Sequence, residues 1–339
     1  MDGLDLALCS FDRGTEPWGY FIEAATTVPF DRDWHDRLLR LPSSTAFDLS
    51  RTHRDFGVFI GTAVKGFMEA HGAADLIASH GHTVFHQPGP KGFTTQIGCG
   101  AQIAAITGTP AVVDFRTMDI ALGGQGAPLV PMGERLLFRG YDAFINLGGI
   151  ANISFHGGAR ISGYDICTCN QALNALAAEA GKPYDDGGGI ARSGDIDPQL
   201  LQRLNDLPFV RQPVPRSLGR ELFEQDMLPL IHGSTVPLAD RMRTCVEHMV
   251  QQVAQHLDRN KAERAMVTGG GAHNAFFVER LRSSTQAEIT LPDALTINFK
   301  EALVFALLGA LRWHQRANTL SSVTGAVRDS IGGAVYLPN

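Results

Sequence analysis

The sequence of 339 residues is short of cysteine, of positive charge and of long apolar runs, and each shortage removes a class of protein. Five cysteines, an odd number in a chain of this length, read as reduced thiols and not as a disulfide framework. Lys and Arg together (29) fall below Asp and Glu (35), and the net charge of −6 leaves no basic face for nucleic acid or an anionic membrane. No apolar run approaches the roughly 20 residues that span a bilayer, and no basic-then-apolar leader opens the chain. A cytoplasmic setting is expected. Two nucleotide signatures are also missing, the spacing of a dinucleotide fingerprint and a P-loop lysine, which disfavours hydride transfer and P-loop kinases. Glycine is the residue in excess, with 37 copies in clusters that suggest ligand-binding turns.

Length alone predicts two domains of similar size. Strand-like runs at Leu4–Phe11 and Tyr20–Val28 are followed by helical spacing over Trp34–Leu41 and Thr45–His71. Further strands are expected at Leu76–Ser79, Phe93–Ile97 and Pro110–Phe115, and a helix at Ala101–Thr107. Tyr141 to Asn170 is the central stretch: strands at Ala143–Leu147 and Asn152–Phe155 flank Gly148-Gly149, and a third, Ala159–Ile166, carries Asp165. Helices are expected at Gln171–Ala180, Asp197–Leu204, Leu238–Leu257, Asn274–Arg282 and Lys300–Gln315. Strands are expected at Ala265–Val267 and Ile289–Leu291, and an extended segment over Pro208–Arg220. Strands alternating with helices define an α/β architecture. The first hairpin repeats the plan of the central one (glycine, strand, turn, strand), as in two-lobed proteins of the hexokinase, actin and heat-shock chaperone superfamily.

Glycines at a strand-to-strand turn let N–H groups approach an anion, and a carboxylate on the next strand faces the same cleft. Phosphoryl transfer fits that pairing, with Asp165 as general base or, in the blander reading, as a helix cap. Thr268-Gly269-Gly270-Gly271, between a strand and a helix, suits close approach to a nucleotide or makes only a tight turn. Asp114-Phe115-Arg116-Thr117-Met118-Asp119 ahead of Gly123-Gly124-Gln125-Gly126 sits where ligands bind in open α/β sheets. There Arg116 forks onto a substrate anion or pairs with Asp114. His80, His82 and His86 suit substrate hydrogen bonding or structural caps better than a metal, since no Cys or carboxylate completes a ligand set.

Taken together these motifs resemble the anhydro-N-acetylmuramic acid kinase family from Asp2 to the C-terminus. The resemblance rests on GHTVFHQP (81–88), QIG (96–98), DFRTMDIALGGQGAPLVP (114–131), NLGGIANIS (146–154), GYD (163–165), SLGRE (217–221), TGGGAHN (268–274), KEALVFALLGALR (300–312) and SSVTGA (321–326). It implies a two-lobed ribonuclease H-like, actin-like ATPase fold, each lobe a mixed sheet flanked by helices. The lobes are placed at 1–140 and 141–339, with the C-terminal helix free to pack back on the first. It implies an enzyme of cell-wall recycling that opens the 1,6-anhydro bond and phosphorylates O6, using ATP and Mg²⁺. Asp165 would activate water. Asp2, Gly3, Asp5, Gly148, Gly149, Gly269, Gly270 and Gly271 would bind ATP phosphates, Asp2 and Asp5 would organise the metal, and His82, Gln96, Arg116 and Asp119 would lie near the sugar. The expected partners are the sugar and ATP, with neither nucleic acid nor membrane, and a homodimer is left open.

Two departures from the family pattern stand out. D-T-G-P-G-N is replaced by Asp165-Ile166-Cys167-Thr168-Cys169-Asn170. The family's opening strand and M-S-G-T-S-x-D-G are reduced to Met1-Asp2-Gly3 with Asp5. Either the start codon is assigned too late or the loop is lost, leaving an inactive sugar or nucleotide binder. The first account is preferred because every other ligand-facing motif is present, and a chain starting at Met1 is expected to be weakly active.

Overall fold

Alternation, caps and glycine stops account for the elements of the first unit. In the computed structural model, which describes residues 3–14, 17–89, 91–158, 160–214 and 216–338, two units separate, Met1–Arg139 with Phe299–Asn339 and Gly140–Asn298. The expected 1–140 and 141–339 differ from this mainly in the tail, which the division groups with the first unit.

The chain begins with the antiparallel hairpin β1 (Gly3–Asp12) and β2 (Gly19–Pro29), whose register shifts between Leu8 and Cys9. Helix α1 (Arg32–Arg40) starts at Asp31, whose carboxylate accepts from the Trp34 N–H. In α2 (Ala46–His71) Thr45 caps Asp48 N–H at 3.1 Å, and Gly72 ends the helix. Short β3 (Ile77–Ala78) follows, then the hairpin β4 (His82–Gln87) and β5 (Phe93–Ile97), α3 (Gly100–Thr107), β6 (Ala111–Val113), α4 (Thr117–Ala121) and α5 (Val130–Leu137).

The second unit contains β7 (Ala143–Leu147), β8 (Ile150–Phe155), β9 (Ser162–Thr168), α6 (Asn170–Glu179), α7 (Gly189–Ser193), α8 (Pro198–Asn205), α9 (Arg220–Leu222), α10 (Leu228–His232), α11 (Leu238–Arg259), β10 (Arg264–Thr268), α12 (Ala275–Arg282) and β11 (Glu288–Thr290). Its sheet runs β11-β10-β7-β8-β9, with β7, β10 and β11 parallel and the β7-β8-β9 meander antiparallel. That order is the ribonuclease H-like arrangement the resemblance implied. Helix α11 covers it with Met242, Val246, Met249, Val253 and Leu257, all buried at helical spacing.

Helix α13 (Ala294–Trp313), bent at Phe299, then leads to α14 (Ser321–Thr324) and β12 (Ala334–Tyr336) of the first unit. The first unit's strands form three small sheets, β1-β2, β4-β5 and the mixed β12-β6-β3. Its apolar core gathers around Phe56, Ile60, Ile97 and Ile103.

Two expectations change. Pro208–Arg220 does not run wholly extended, because Pro208–Arg211 closes a 3-10 turn with proline at its tolerated first position. The expectation of no membrane-length apolar run holds for uninterrupted runs but needs a qualification for one helix. Among the described residues α13 is one helix long and apolar enough to cross a membrane, but about half of it is buried and its Lys300 forms a buried ion pair with Glu134 of α5 at 2.9 Å.

Candidate functional site

In the second unit the register assembles a polar row. Asp165 pairs with Asn152, Asn152 with Asn146, and Asn146 with Thr268, across β9, β8, β7 and β10. Directly paired residues share a face of a sheet, so these four side chains form one line among buried apolar neighbours. A bulge follows: Ala151 pairs with Cys167 and Asn152 with Asp165, leaving Ile166 as the extra residue that re-aims the carboxylate. Sequence reading found Asp165 but not Asn146 and Asn152. Both lie inside NLGGIAN, and only the pairing register reveals that they line up with the acid.

Two glycine turns flank this row. Gly148 and Gly149 join β7 to β8, and their carbonyls accept from Asn170 N–H (3.1 Å) and Cys169 N–H (2.9 Å) at the start of α6. In a trans peptide the N–H lies opposite the carbonyl, so the N–H groups of Gly149 and Ile150 point away from α6. The second turn follows β10. A Cβ on Gly269 (φ +83°) would lie 2.4 Å from Asn146 Oδ1, and one on Gly271 would lie 2.7 Å from Leu147 Cβ, so only glycine fits this close to β7. Gly270 has no such neighbour: the nearest atom to its Cβ position is Asn170 Nδ2, 3.8 Å away. Gly148, Gly149, Gly269, Gly270 and Gly271 therefore converge at the carboxyl ends of the parallel strands β7 and β10, where open α/β sheets bind ligands.

Asp165 does not cap α6, whose cap position is Cys169. Its Oδ2 instead accepts from Leu218 N–H at 2.8 Å and the Ser217 hydroxyl at 3.3 Å. Burial raises its pKa above the ordinary carboxylate value, against the opposing pull of these two donors and of Arg216. Arg216 donates to the carbonyls of Asp165, Ile166, Phe209, Val210 and Gln212, fixing the strand that carries the acid. Burial pushes the thiol of Cys169 up to about 12 and raises that of Cys167 as well, which makes both unreactive.

Among the first unit's candidates, His82 and Gln96 line two different cavities. His82 lines one with Asp5 and His80, while Gln96 lines the other with His53, His80, Asp114 and Thr117. His82 pairs with Ile97 and Thr83 with Gln96, which puts His82 and Gln96 on opposite faces of the β4-β5 hairpin. Gln96 Nε2 donates to the Thr94 and Thr83 hydroxyls, and its buried Oε1 has no partner among the described residues. Arg116 does not pair with Asp114. Its Nε donates to His80 Nε2 at 2.8 Å and its Nη1 to the Gly126 carbonyl. An arginine only donates, so His80 is neutral with its proton on Nδ1, facing the Gly81 carbonyl. Burial and Arg116 push the His80 pKa down to about 3. Asp119 departs from the expected sugar contact: it is fully buried, with Oδ2 accepting from Gly126 N–H and Oδ1 from the Thr324 hydroxyl. Gly3 lies within β1, close against Val28, and the exposed Asp5 accepts from the Thr27 hydroxyl. Asp2 lies outside the described residues.

A ribonuclease H-like sheet with glycine turns at its parallel strand ends, and a desolvated carboxylate across from them, defines a phosphotransferase of the carbohydrate-kinase class. The sequence profile of anhydro-N-acetylmuramic acid kinase matches residues 1–338, and the chain belongs to that family. It is 33% identical to a protein of that name from Sulfurovum sp. (strain NBC37-1), covering 99% of this chain and 96% of the relative. It is 34% identical to another from Vibrio cholerae serotype O1, covering 100% and 96%. Among solved structures, a ROK family glucokinase from Streptomyces griseus in complex with glucose and AMPPNP overlaps 84% of this chain and 94% of its own. The TM-score is 0.36 at 13% identity, too loose to bear on the fold.

Proposed function

We propose that this chain uses ATP to open 1,6-anhydro-N-acetylmuramic acid with water and to phosphorylate the freed O6, acting in the cytoplasm on sugar recovered from the cell wall. The observation that carries the reading is Asp165, a carboxylate with a raised pKa in line with two asparagines and beside two glycine turns. Asp165 accepts one proton from water as the water oxygen bonds to C1. The C1–O6 bond breaks with its electron pair on O6, and O6 bonds to the γ-phosphorus as ADP departs with the bridging oxygen. A base with a raised pKa is better matched to removing that proton near neutrality. Backbone N–H groups of the glycine turns are the proposed phosphate donors, and such fixed donors supply most of the stabilisation in phosphoryl transfer. Gln96, with its unfilled acceptor, is the proposed sugar contact, and His82, which faces the other side of the β4-β5 hairpin, is set aside for that role; Arg116 and Asp119 hold the loop around Gly126 in place.

Mg²⁺, when bound, would offset the charge of the nucleotide's phosphates. Among the described residues no three His, Cys or carboxylate side chains form a metal cluster, and Asp5 is one exposed carboxylate. The ion would therefore be held mainly through the nucleotide, with Asp5 as its protein partner. The test is ATP with the anhydro sugar, read by mass spectrometry for the sugar 6-phosphate. Asp165→Asn is expected to lower kcat about 10²- to 10⁴-fold, the usual worth of a positioned base, while leaving nucleotide affinity near its original value. No product from the wild-type protein, or full activity in the variant, defeats the proposal.

A further inference from the structure

The start of α6 touches both glycine turns. Asn170 donates from Nδ2 to the Leu147 carbonyl at 2.9 Å, and the same nitrogen is the nearest atom to the Cβ position of Gly270. Gln171 lies against the other turn: a Cβ on Gly149 would stand 3.1 Å from its Cγ and 3.3 Å from its Nε2. The backbone amides at this end of the helix are already spent. Those of Cys169 and Gln171 go to the Gly149 carbonyl, that of Asn170 to the Gly148 carbonyl, and those of Ala172 and Leu173 to the Cys169 carbonyl. Any donor that this helix end offers a ligand is therefore a side chain. The Gln171 carboxamide is such a group. Its Oε1 is buried and unfilled, and its Nε2 donates to nothing among the described residues. Turning the amide over would bury two N–H donors in place of one acceptor, so the nitrogen is the atom that stays outward.

We propose that Gln171 binds a phosphate of the nucleotide, its Nε2 adding a side-chain donor to the backbone N–H groups of the 148–149 turn. The inference rests on the reading of the glycine turns as the phosphate site. Ionised phosphate oxygens accept hydrogen bonds and have none to give, so Nε2, and not Oε1, is the atom that suits them. A bond from a neutral amide to a charged oxygen is also stronger than one between neutral groups. The contact gives Gly149 a second purpose. With no Cβ there, the carboxamide lies across the turn instead of being pushed off it.

The test titrates ADP and adenosine separately into the full 339-residue protein, in EDTA so that no metal bridges the contact. Calorimetry reads ADP, and saturation-transfer NMR reads the weaker adenosine. Two variants are compared with wild type. Gln171→Met keeps the length and drops both polar atoms, and Gln171→Glu keeps the shape and puts a negative charge where the donor was. Gln171→Met should bind ADP about tenfold more weakly, the worth of one hydrogen bond to a charged group, and Gln171→Glu should bind it more weakly still. Adenosine, which has no phosphate, should bind all three proteins equally. Equal losses for adenosine and ADP overturn the proposal, because they mark a packing role. Unchanged ADP affinity in Gln171→Met overturns it too, as does a Gln171→Glu protein that matches wild type. Wild type that binds no ADP defeats the phosphate reading of the turns along with it. Failure to turn over the anhydro sugar, by contrast, leaves the nucleotide titrations standing.

Discussion

Burial acts on Asp165 in two directions that can be measured separately. Its pKa lies above the ordinary value of 3.8, so between the two values the folded chain keeps a proton that the unfolded chain has lost. Stability therefore falls as pH rises through that window. Asp165→Asn cannot ionise and escapes this cost. The variant should melt at a higher temperature than wild type at pH 7, with the difference shrinking as pH is lowered through the window. An equal or lower Tm at pH 7 would show that the carboxylate is not desolvated. At this scale the sequence showed which residue types matter but not how their atoms are spent. Asp165 was legible from its strand and the glycines before it. The alignment of Asn146 and Asn152 with it was not, because register and a one-residue bulge are products of pairing. Asp119 was recognisable as a polar residue beyond a buried strand, yet nothing local showed that Gly126 and Thr324 would occupy both its oxygens.

The glycine turns separate two reasons for the same residue. Gly269 and Gly271 are required by the protein itself, since a Cβ would strike Asn146 or Leu147. Gly270 is exposed and meets nothing closer than 3.8 Å. Gly269→Ala should cost about 1–3 kcal/mol of stability, because it adds a clash to a strained positive φ. Gly270→Ala should leave Tm nearly unchanged and raise KM for ATP, as kinetics and a melt on one preparation would show. A large Tm loss in the Gly270 variant would mean the turn is purely structural. Elements with clear punctuation were readable in the sequence: Phe93–Ile97 and Ala143–Leu147 match their strands to the residue. The histidine-rich strand His82–Gln87 was not assigned, because its polar residues do not alternate with apolar ones. Helix α13 begins six residues before the expected Lys300, across the bend at Phe299.

Across the whole molecule, the division into units gives the tail 299–339 a packing role in the first one. Lys300 and Glu134, 166 positions apart, are 6% and 5% exposed and tie α13 to α5. Removing one member of such a buried pair costs about 3–5 kcal/mol. Lys300→Met should therefore destabilise the protein strongly in a denaturant melt, and adding Glu134→Met should recover much of the loss. If the double variant is no better than the single one, the pair does not act as a unit. Pattern reading anticipated an apolar helix here but not this ion pair, because the partners are remote in sequence and each looks like an ordinary surface charge.

The five carbonyls gathered by Arg216 bear on how the protein resists proteases. Among the described residues the segment from Pro208 to Leu218 is one 3-10 turn and otherwise irregular, and three of those carbonyls belong to it while two belong to β9. A single guanidinium thus helps to hold this loop against β9, and a protease cleft needs several residues of extended, detached backbone. Arg216→Ala should be nicked by a non-specific protease between 206 and 218 under conditions that leave wild type whole. The same release would withdraw Leu218 N–H and Ser217 from Asp165. Persistent resistance in the variant would show that the loop is held by its other packing, with Phe209 the buried anchor.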